Sequence, residues 1–288
     1  MNIKKLIAVT LSAATFALSL TACGGKSSDS SAGSSSAAES TTVKLGVVGS
    51  IYEDLWKPAQ ESLKAEGIDL EIVQFSDYAT PNNALNSGDI DLNAFQHQIY
   101  LDNEVEQQGY KIQSIGYTFI IPLNIYSHKV KAISDIKDGD VVAIPDDVTN
   151  GGRAIKVLAA AGLITLKEDA GFNPTLEDIK TYNTKITIKE LKANTIPSVL
   201  DDVTAAVVNG NYALDFGLKT DEAIYKDSVL DEEKYWNLIA ARTEDLQDKE
   251  FIDLWCAYYD DLKAHVAQYT PEWAAEITGV DAEDIAAA

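Results

Sequence analysis

The sequence is poor in the residues that build disulfide scaffolds and metal cages. Its 288 residues include only two cysteines and three histidines, too few for either kind of structure. Positive charge is also scarce, with 23 lysines and arginines against 45 acidic residues and a formal net charge of −22. A phosphate backbone needs clustered positive charge. The composition therefore argues against a nucleic-acid partner, and against attachment to anionic lipid through a polybasic patch.

The apolar run near the N-terminus covers residues 6–20, which is too short to span a bilayer well. Two lysines precede it and small residues follow it, an arrangement typical of a secretory signal. Leu20-Thr21-Ala22-Cys23 resembles the bacterial lipobox, in which the cysteine is acylated and becomes the first mature residue. We therefore predict a signal peptide over residues 1–22 and a palmitate-type lipid anchor on Cys23. The alternative is an ordinary signal peptide with an incidental cysteine.

Residues 23–42 are rich in serine, alanine and glycine and contain no large apolar residue. Such a segment cannot bury surface, so we predict a flexible linker. It would hold the globular part of the protein near the extracytoplasmic face of a bacterial membrane. Once Cys23 is acylated, Cys256 has no partner within the chain. Cys256 lies in an amphipathic helical pattern over residues 249–269, and we interpret it as a small core residue.

Strand and helix signals alternate along the remaining residues, 43–288, and this order is typical of α/β proteins with mainly parallel sheets. Residues 114–127 are β-rich but interrupted by Pro122, and we read them as two strands that meet at a bend. A second α/β series begins there. We predict a two-lobed α/β fold with a ligand cleft between the lobes. Lobe 1 comprises residues 43–121 and about 240–288, and lobe 2 comprises residues about 122–239.

A glycine-containing loop follows the predicted strand at residues 141–145 and opens a helix that we expect to run from about Arg153 to residue 161. Free N–H groups at a helix start bind anions. Arg153, in the first turn of this helix, would add a grip suited to a carboxylate. The alternative is an ion pair between Arg153 and a neighbouring acid such as Asp146 or Asp147. Residue pattern alone leaves both open.

Aromatic and amide side chains follow two other predicted strands. Tyr78, Phe95 and Tyr100 are placed to wall an apolar pocket, although aromatic residues at such spacing are more often core residues. His97 lies among them without a second metal-binding side chain nearby, so no metal site is expected. Asn209 follows a buried strand and offers both a donor and an acceptor, but Asn-Gly is also a frequent turn pair. No catalytic motif occurs, so no enzyme activity and no cofactor are predicted.

At these residues the sequence resembles the methionine-type (NlpA family) substrate-binding lipoproteins of ABC importers. The segments that carry the resemblance are spread over the mature chain and include Phe75-Ser76-Asp77-Tyr78, Asn93-Ala94-Phe95-Gln96-His97, Thr149-Asn150-Gly151-Gly152-Arg153, Asn209-Gly210-Asn211-Tyr212 and Asn237-Leu238-Ile239.

The resemblance implies that an amino acid lies between two lobes. Its side chain would contact residues matching Tyr78, Phe95, His97 and Tyr100. Its backbone groups would be held by residues matching Arg153, Asn209 and Asn237. It also implies a monomeric binding protein that delivers L-methionine, or a close analogue, to a permease driven by a cytoplasmic ATPase. The alternatives are another amino acid or a short methionine-containing peptide as ligand or, from a different class, a secreted two-lobed enzyme.

Overall fold

A computed structural model describes residues 41–228 and 232–247. The predicted signal peptide, Cys23, almost all of the predicted linker, Cys256 and the predicted helix over residues 249–269 lie outside these residues. Within the described ranges no helix combines the length and apolar character needed to cross a membrane.

The described residues form eleven strands, five α-helices and several short 3₁₀ helices. The strands are β1 (Thr41–Val48), β2 (Ile68–Phe75), β3 (Leu92–Asn93), β4 (Ile112–Tyr117), β5 (Leu123–Tyr126), β6 (Val141–Pro145), β7 (Ile164–Leu166), β8 (Ile179–Tyr182), β9 (Thr187–Leu191), β10 (Ala205–Asn209) and β11 (Leu238–Arg242). The helices are α1 (Ile51–Ala65), α2 (Pro81–Ser87), α3 (Gln98–Gln108), α4 (Val148–Ala160) and α5 (Gly210–Asp215).

Two main sheets carry the fold. The first has the order β2-β1-β3-β11-β4 and the second the order β5-β10-β6-β9, while β7 and β8 form a separate antiparallel pair. In the first sheet β1 is parallel to β2 and β3, but β11 is antiparallel to β3 and β4. Four of the five strands of the first sheet therefore run in the same direction, as expected of a mainly parallel sheet, and β11 runs the opposite way. Its last strand returns from the second sheet and enters from the opposite direction.

Within residues 41–228 and 232–247 the chain passes between the sheets twice. It leaves the first sheet after Tyr117 and enters the second at Leu123, which confirms two strands meeting at a bend near Pro122. It returns to the first sheet at Leu238. Strand β1 begins at Thr41, so the last two residues of the predicted linker, 41 and 42, belong to this strand. The β7–β8 pair was not predicted, because its two strands are only three and four residues long.

The predicted start of the fourth helix was wrong. Helix α4 begins at Val148, so Arg153 lies in its second turn. Gly151 and Gly152 lie inside the helix because the backbone packs too closely there for a side chain. A Cβ atom would lie 2.9 Å from the carbonyl oxygen of Pro145 at the first glycine, and 2.9 Å from Cα of Asn173 at the second. These glycines serve close packing rather than a loop.

The cores explain why the second sheet is so apolar. All five residues of β10 are buried. Ala205 and Val207 face a core that includes α4, whereas Ala206 and Val208 face a core shared with β1 and α1. A strand covered on both faces needs a continuous apolar run instead of an alternating one. The shared core brings the two sheets together around the ends of their strands.

Candidate functional site

A pocket with about 380 Å³ of space, which includes solvent at its open mouth, lies among segments that follow strands of both sheets. All seven residues predicted to bind a ligand line it: Tyr78, Phe95, His97, Tyr100, Arg153, Asn209 and Asn237. Six further residues also line it: Tyr52, Gln96, Ile121, Asn150, Gly210 and Asn211. The pocket therefore gathers side chains that lie up to 185 residues apart along the chain, as between Tyr52 and Asn237.

Aromatic rings form one wall of the pocket. The ring centroids of Tyr78 and Phe95 lie 5.9 Å apart in a stacked arrangement, and Tyr100 meets both rings edge-on at 6.0 and 6.1 Å. The Tyr78 hydroxyl donates to Oδ1 of Asn211 at 2.5 Å, and the Tyr100 hydroxyl donates to the carbonyl of Tyr78 at 3.0 Å. These bonds fix the rings and satisfy their polar atoms. The faces that remain suit an apolar or sulfur-containing group.

His97 is neutral and has one defined tautomer. It is the N-cap of α3, and the backbone N–H of Tyr100 donates to its Nδ1 at 3.1 Å. Nδ1 therefore carries no proton, so Nε2 carries it and donates to Oδ1 of Asn150 at 3.3 Å. Burial, and secondarily the positive charge of Arg153, lower the pKa of His97 to about 3. His97 accordingly acts as a neutral hydrogen-bonding group and not as a charge.

Asn150 links His97 to the second sheet. Its Oδ1 also accepts a bond from Nδ2 of Asn209 at 2.9 Å, while its own Nδ2 donates to both carboxylate oxygens of Asp147 at 3.1 Å. Asp147 is the N-cap of α4 and accepts the backbone N–H of Asn150 at 2.9 Å. Burial raises the pKa of Asp147, and the bonds from Asn150 oppose that rise. The start of α4 is thus capped by the protein's own acid.

Arg153 is buried and already paired with an acid, but with neither of the two expected neighbours. Its Nη2 lies 2.5 Å from Oδ2 of Asp227 and 3.2 Å from the carbonyl oxygen of Ile121. The side chains of Arg153 and Asp227 are only 4% and 0% exposed. Nε of Arg153 is buried and has no hydrogen-bond partner. This N–H remains available to a ligand that enters the pocket.

Tyr235 supports both Arg153 and His97. The guanidinium carbon of Arg153 lies 4.6 Å from the centroid of its ring, and the His97 ring meets it edge-on at 5.6 Å. Lys156 donates to the Tyr235 hydroxyl at 3.3 Å. Tyr235 is fully buried and lies in a 3₁₀ helix just before β11. A cation stacked on a desolvated ring gains about 2 kcal/mol, so this ring stabilises the guanidinium in its observed position.

Asn237 contributes to the pocket through Tyr52. Its Nδ2 donates to the Tyr52 hydroxyl at 2.9 Å, and that hydroxyl donates to the carbonyl of Phe95 at 3.2 Å. The backbone of Asn237 forms an isolated bridge with His97. The ring of the preceding residue, Trp236, meets the ring of Tyr117 edge-on at 6.0 Å. Asn237 therefore lies on the pocket side of the segment that returns to the first sheet.

A closed set of amides adjoins the aromatic wall and includes Gln96, which itself lines the pocket. Asn82 and Gln96 exchange two hydrogen bonds of 2.6 and 2.8 Å, and Asn93 bonds to both of them at 2.9 Å. All three side chains are buried. A buried amide network is stable only when each member is satisfied. Here it fixes the segment that presents Phe95 and His97 to the pocket.

Sequence reasoning missed Asp227, Tyr235, Tyr52 and Asn150 as parts of the site. Asn150 lies in the segment that carries the resemblance, three residues before Arg153, so helical spacing would have placed the two on neighbouring positions. No local signal identifies Asp227 or Tyr235, because both act through contacts with α4 from a distant segment. Tyr52 reads as an ordinary buried residue of α1.

The pocket combines an apolar compartment with two unsatisfied polar atoms. Nε of Arg153 is a buried donor without a partner, and Oδ1 of Asn209 is a buried acceptor without a partner. Buried polar groups in proteins are nearly always hydrogen-bonded, so these two atoms are the positions in the pocket where polar groups of a ligand would find partners. A carboxylate suits the first atom and an ammonium suits the second. Among the described residues no group of histidine, cysteine or acidic side chains is arranged to hold a metal ion.

Comparison with known proteins agrees with this geometry. The chain is 40% identical over 231 residues, 78% of its length and 83% of the relative's, to a protein of Salmonella typhimurium named D-methionine-binding lipoprotein MetQ. It is 39% identical over 88% of its length, and 92% of the relative's, to outer membrane lipoprotein 3 of Mannheimia haemolytica.

Solved structures give the same result. A nutrient-binding protein from Burkholderia cenocepacia, bound to methionine, has a TM-score of 0.68 and 43% identity over 73% of this chain and 88% of its own. The structure of the methionine-binding protein MetQ has a TM-score of 0.73 and 36% identity over 83% of this chain and 95% of its own. These neighbours are two-lobed substrate-binding proteins, which confirms the predicted fold class. The NlpA lipoprotein family model matches residues 43–275, and the chain belongs to that family.

Proposed function

We propose that this protein is the substrate-binding lipoprotein of an ABC importer and that it binds methionine in the pocket described above. It binds and delivers its ligand and is not an enzyme. The observation that carries the proposal is the coexistence, in one buried pocket, of an aromatic compartment with an unpartnered Arg153 donor and an unpartnered Asn209 acceptor. The names of its relatives support the same ligand.

The pocket suggests how the ligand is oriented. The carboxylate accepts from Nε of Arg153, and the ammonium donates to Oδ1 of Asn209. The thioether packs among Tyr78, Phe95 and Tyr100, where each sulfur–aromatic contact contributes about 0.3–1.5 kcal/mol. His97 and Asn237 complete the polar rim. Because Arg153 is paired with Asp227 and His97 is neutral, these three groups carry no net charge, which suits a zwitterion.

The remaining parts of the proposal concern the setting of the protein. Cys23 carries a lipid after removal of residues 1–22, and this anchor holds the protein on the extracytoplasmic face of a bacterial membrane. The protein acts as a monomer and passes its ligand to a membrane permease that a cytoplasmic ATPase drives. The lipoprotein family supports this setting. The Cys23→Ser variant should therefore appear in the culture medium or the soluble extracytoplasmic fraction instead of with membranes.

Calorimetric titration tests the ligand. The mature protein is unfolded and refolded to remove any bound ligand, and then titrated with L-methionine, D-methionine and a methionine-containing dipeptide. Heat with either enantiomer supports methionine, and the comparison between the two gives the stereochemical preference. Heat with the dipeptide alone would replace methionine by a peptide ligand. Absence of heat with all three compounds would refute the proposal.

A substitution tests the carboxylate contact. Removing one partner of a buried charged contact costs about 2–5 kcal/mol of binding free energy, so Arg153→Met should weaken methionine binding by roughly 30-fold or more. Lys137→Met removes one positive charge from an exposed site and serves as the control. Circular dichroism of both variants checks that they are folded. Equal affinities for the two variants would exclude Arg153 from the site.

A further inference from the structure

The guanidinium group of Arg153 meets a carboxylate of the protein before any ligand is present. Asp227 comes from the segment that leads back to the first sheet, 74 residues from Arg153, and its Oδ2 lies 2.5 Å from Nη2. Asp227 is buried and is not among the residues that line the pocket. The acid thus lies behind the arginine, and the pocket lies in front of it.

Asp227 is itself held firmly in place. Its backbone N–H donates to Oδ1 of Asn124 at 2.8 Å, and its Oδ2 accepts the backbone N–H of Leu123 at 3.1 Å. Both partners belong to β5, whose four residues are all buried. The carboxylate is therefore fixed by the second sheet, and it fixes the guanidinium together with the Tyr235 ring and the carbonyl of Ile121. This arrangement leaves the Nε side of Arg153 for a ligand.

The negative charge of Asp227 affects the binding of a ligand as well as the position of Arg153. A ligand carboxylate on Arg153 shares the guanidinium with the carboxylate of Asp227, and like charges at one site repel each other. The site is buried, so water screens this repulsion poorly. The neutral ring of His97 adds no positive charge to offset it. Asp227 therefore improves the placement of Arg153 and at the same time lowers the attraction that Arg153 exerts on a ligand carboxylate.

We propose that Asp227 is a positioning residue that sets the affinity of this site: it holds Arg153 ready for the ligand carboxylate and weakens the binding of that carboxylate enough for release. The proposal rests on the proposed function, since it requires a ligand carboxylate on Arg153. It predicts that removal of the charge with retention of the shape makes the binding of carboxylate ligands tighter. A residue with a purely structural role would have the opposite effect.

The test compares L-methionine with L-methioninol, in which a hydroxymethyl group replaces the carboxylate. Asp227→Asn keeps an oxygen that accepts from Nη2 and removes the charge. Calorimetric titration of the variant should give a Kd for methionine at least about 10-fold lower than that of the wild-type protein, while the Kd for methioninol changes by less than about 3-fold. Asp169→Asn removes an exposed acid and should change neither Kd.

The outcomes separate this proposal from the proposed function. Weaker methionine binding by Asp227→Asn, or equal changes for the two ligands, would overturn the role of Asp227 alone. A wild-type protein that binds methionine and methioninol equally well would remove the carboxylate from Arg153 and overturn the role of Asp227, while methionine would stand as the ligand. Only a wild-type protein that does not bind methionine would overturn the proposed function.

Loss of the buried partner can also prevent folding of the unliganded variant. In that case the proposal predicts that refolding in excess methionine recovers folded Asp227→Asn protein, because the ligand carboxylate supplies the missing negative charge. Methioninol should not recover it. Equal recovery, or equal failure, with both compounds would refute the proposal.

Discussion

The neutral state of His97 predicts a specific loss of stability in mild acid. Its pKa is about 3 in the folded protein, against about 6.5 in an unfolded chain. Between these values the unfolded chain binds a proton that the folded protein does not bind. The free energy of unfolding therefore falls as the pH is lowered through this window and is fully restored above a pH of about 6.5.

The size of this effect follows from the two pKa values. Lowering the pH from 7.5 to 5.5 protonates His97 in most unfolded molecules and in almost no folded ones. This linkage lowers the free energy of unfolding by about 1.3 kcal/mol. Urea denaturation of the ligand-free protein at the two pH values measures the total change. Raised carboxyl pKa values, such as that of Asp147, act in the opposite direction, so the His97 contribution must be isolated with a variant.

The informative variant is His97→Asn. Asparagine supplies an oxygen that can accept the Tyr100 N–H as the N-cap of α3, but it does not titrate. The wild-type protein should lose about 1.3 kcal/mol more than this variant between pH 7.5 and pH 5.5. Equal losses in the wild-type protein and His97→Asn would show that His97 titrates normally in the folded protein. They would refute the assignment of His97 as a buried and neutral ring.

Three further predictions concern the supports of the pocket. Tyr235→Phe should bind methionine within about 3-fold of wild type, whereas Tyr235→Leu should weaken binding by roughly 3- to 30-fold through loss of the ring under the arginine; calorimetry distinguishes the two. Gly210→Ala should destabilise the protein by about 1–3 kcal/mol in urea, because a Cβ atom would lie 2.3 Å from Cγ2 of Ile121. Gly171→Ala, where nothing lies within 4 Å, is the matched control and should cost little. Asn82→Leu leaves two buried amides without their partner, so urea denaturation should show a loss of about 2–6 kcal/mol.

Much of the site could be predicted because its residues follow strand ends. Asn209 is the last residue of the buried strand β10, Arg153 comes soon after β6 of the same sheet, and Phe95 and His97 come soon after β3 of the first sheet. Apolar runs mark such strands in a sequence, and ligands of α/β proteins bind at strand ends. Asn237 precedes its strand instead, so periodicity gave no reason to choose it. Only the resemblance to the family identified it.

The boundaries of α4 show where local rules failed. Two glycines normally indicate a loop, so the helix was expected to start after them. The helix includes them because Pro145 and Asn173 approach its backbone from two sides. Those approaches depend on the packing of α4 against the second sheet, and periodicity in one segment carries no information about them. The error moved Arg153 from the helix start to its second turn.

The partner of Arg153 illustrates the deeper limit. With 45 acidic residues in the chain, any buried arginine has many possible partners, and proximity in sequence favours Asp146 and Asp147. Asp146 is exposed and Asp147 caps α4, because both lie at the start of the helix while the guanidinium is one turn further along. The partner is instead determined by β5, where the backbone N–H of Leu123 donates to the carboxylate of Asp227 and the side chain of Asn124 accepts the backbone N–H of Asp227. These two bonds place the carboxylate beside the guanidinium group. Asp227 does not line the pocket, so it occupies none of the space that a ligand carboxylate would need. Its negative charge still reduces the attraction between Arg153 and that carboxylate. The Asp227→Asn titration measures this reduction.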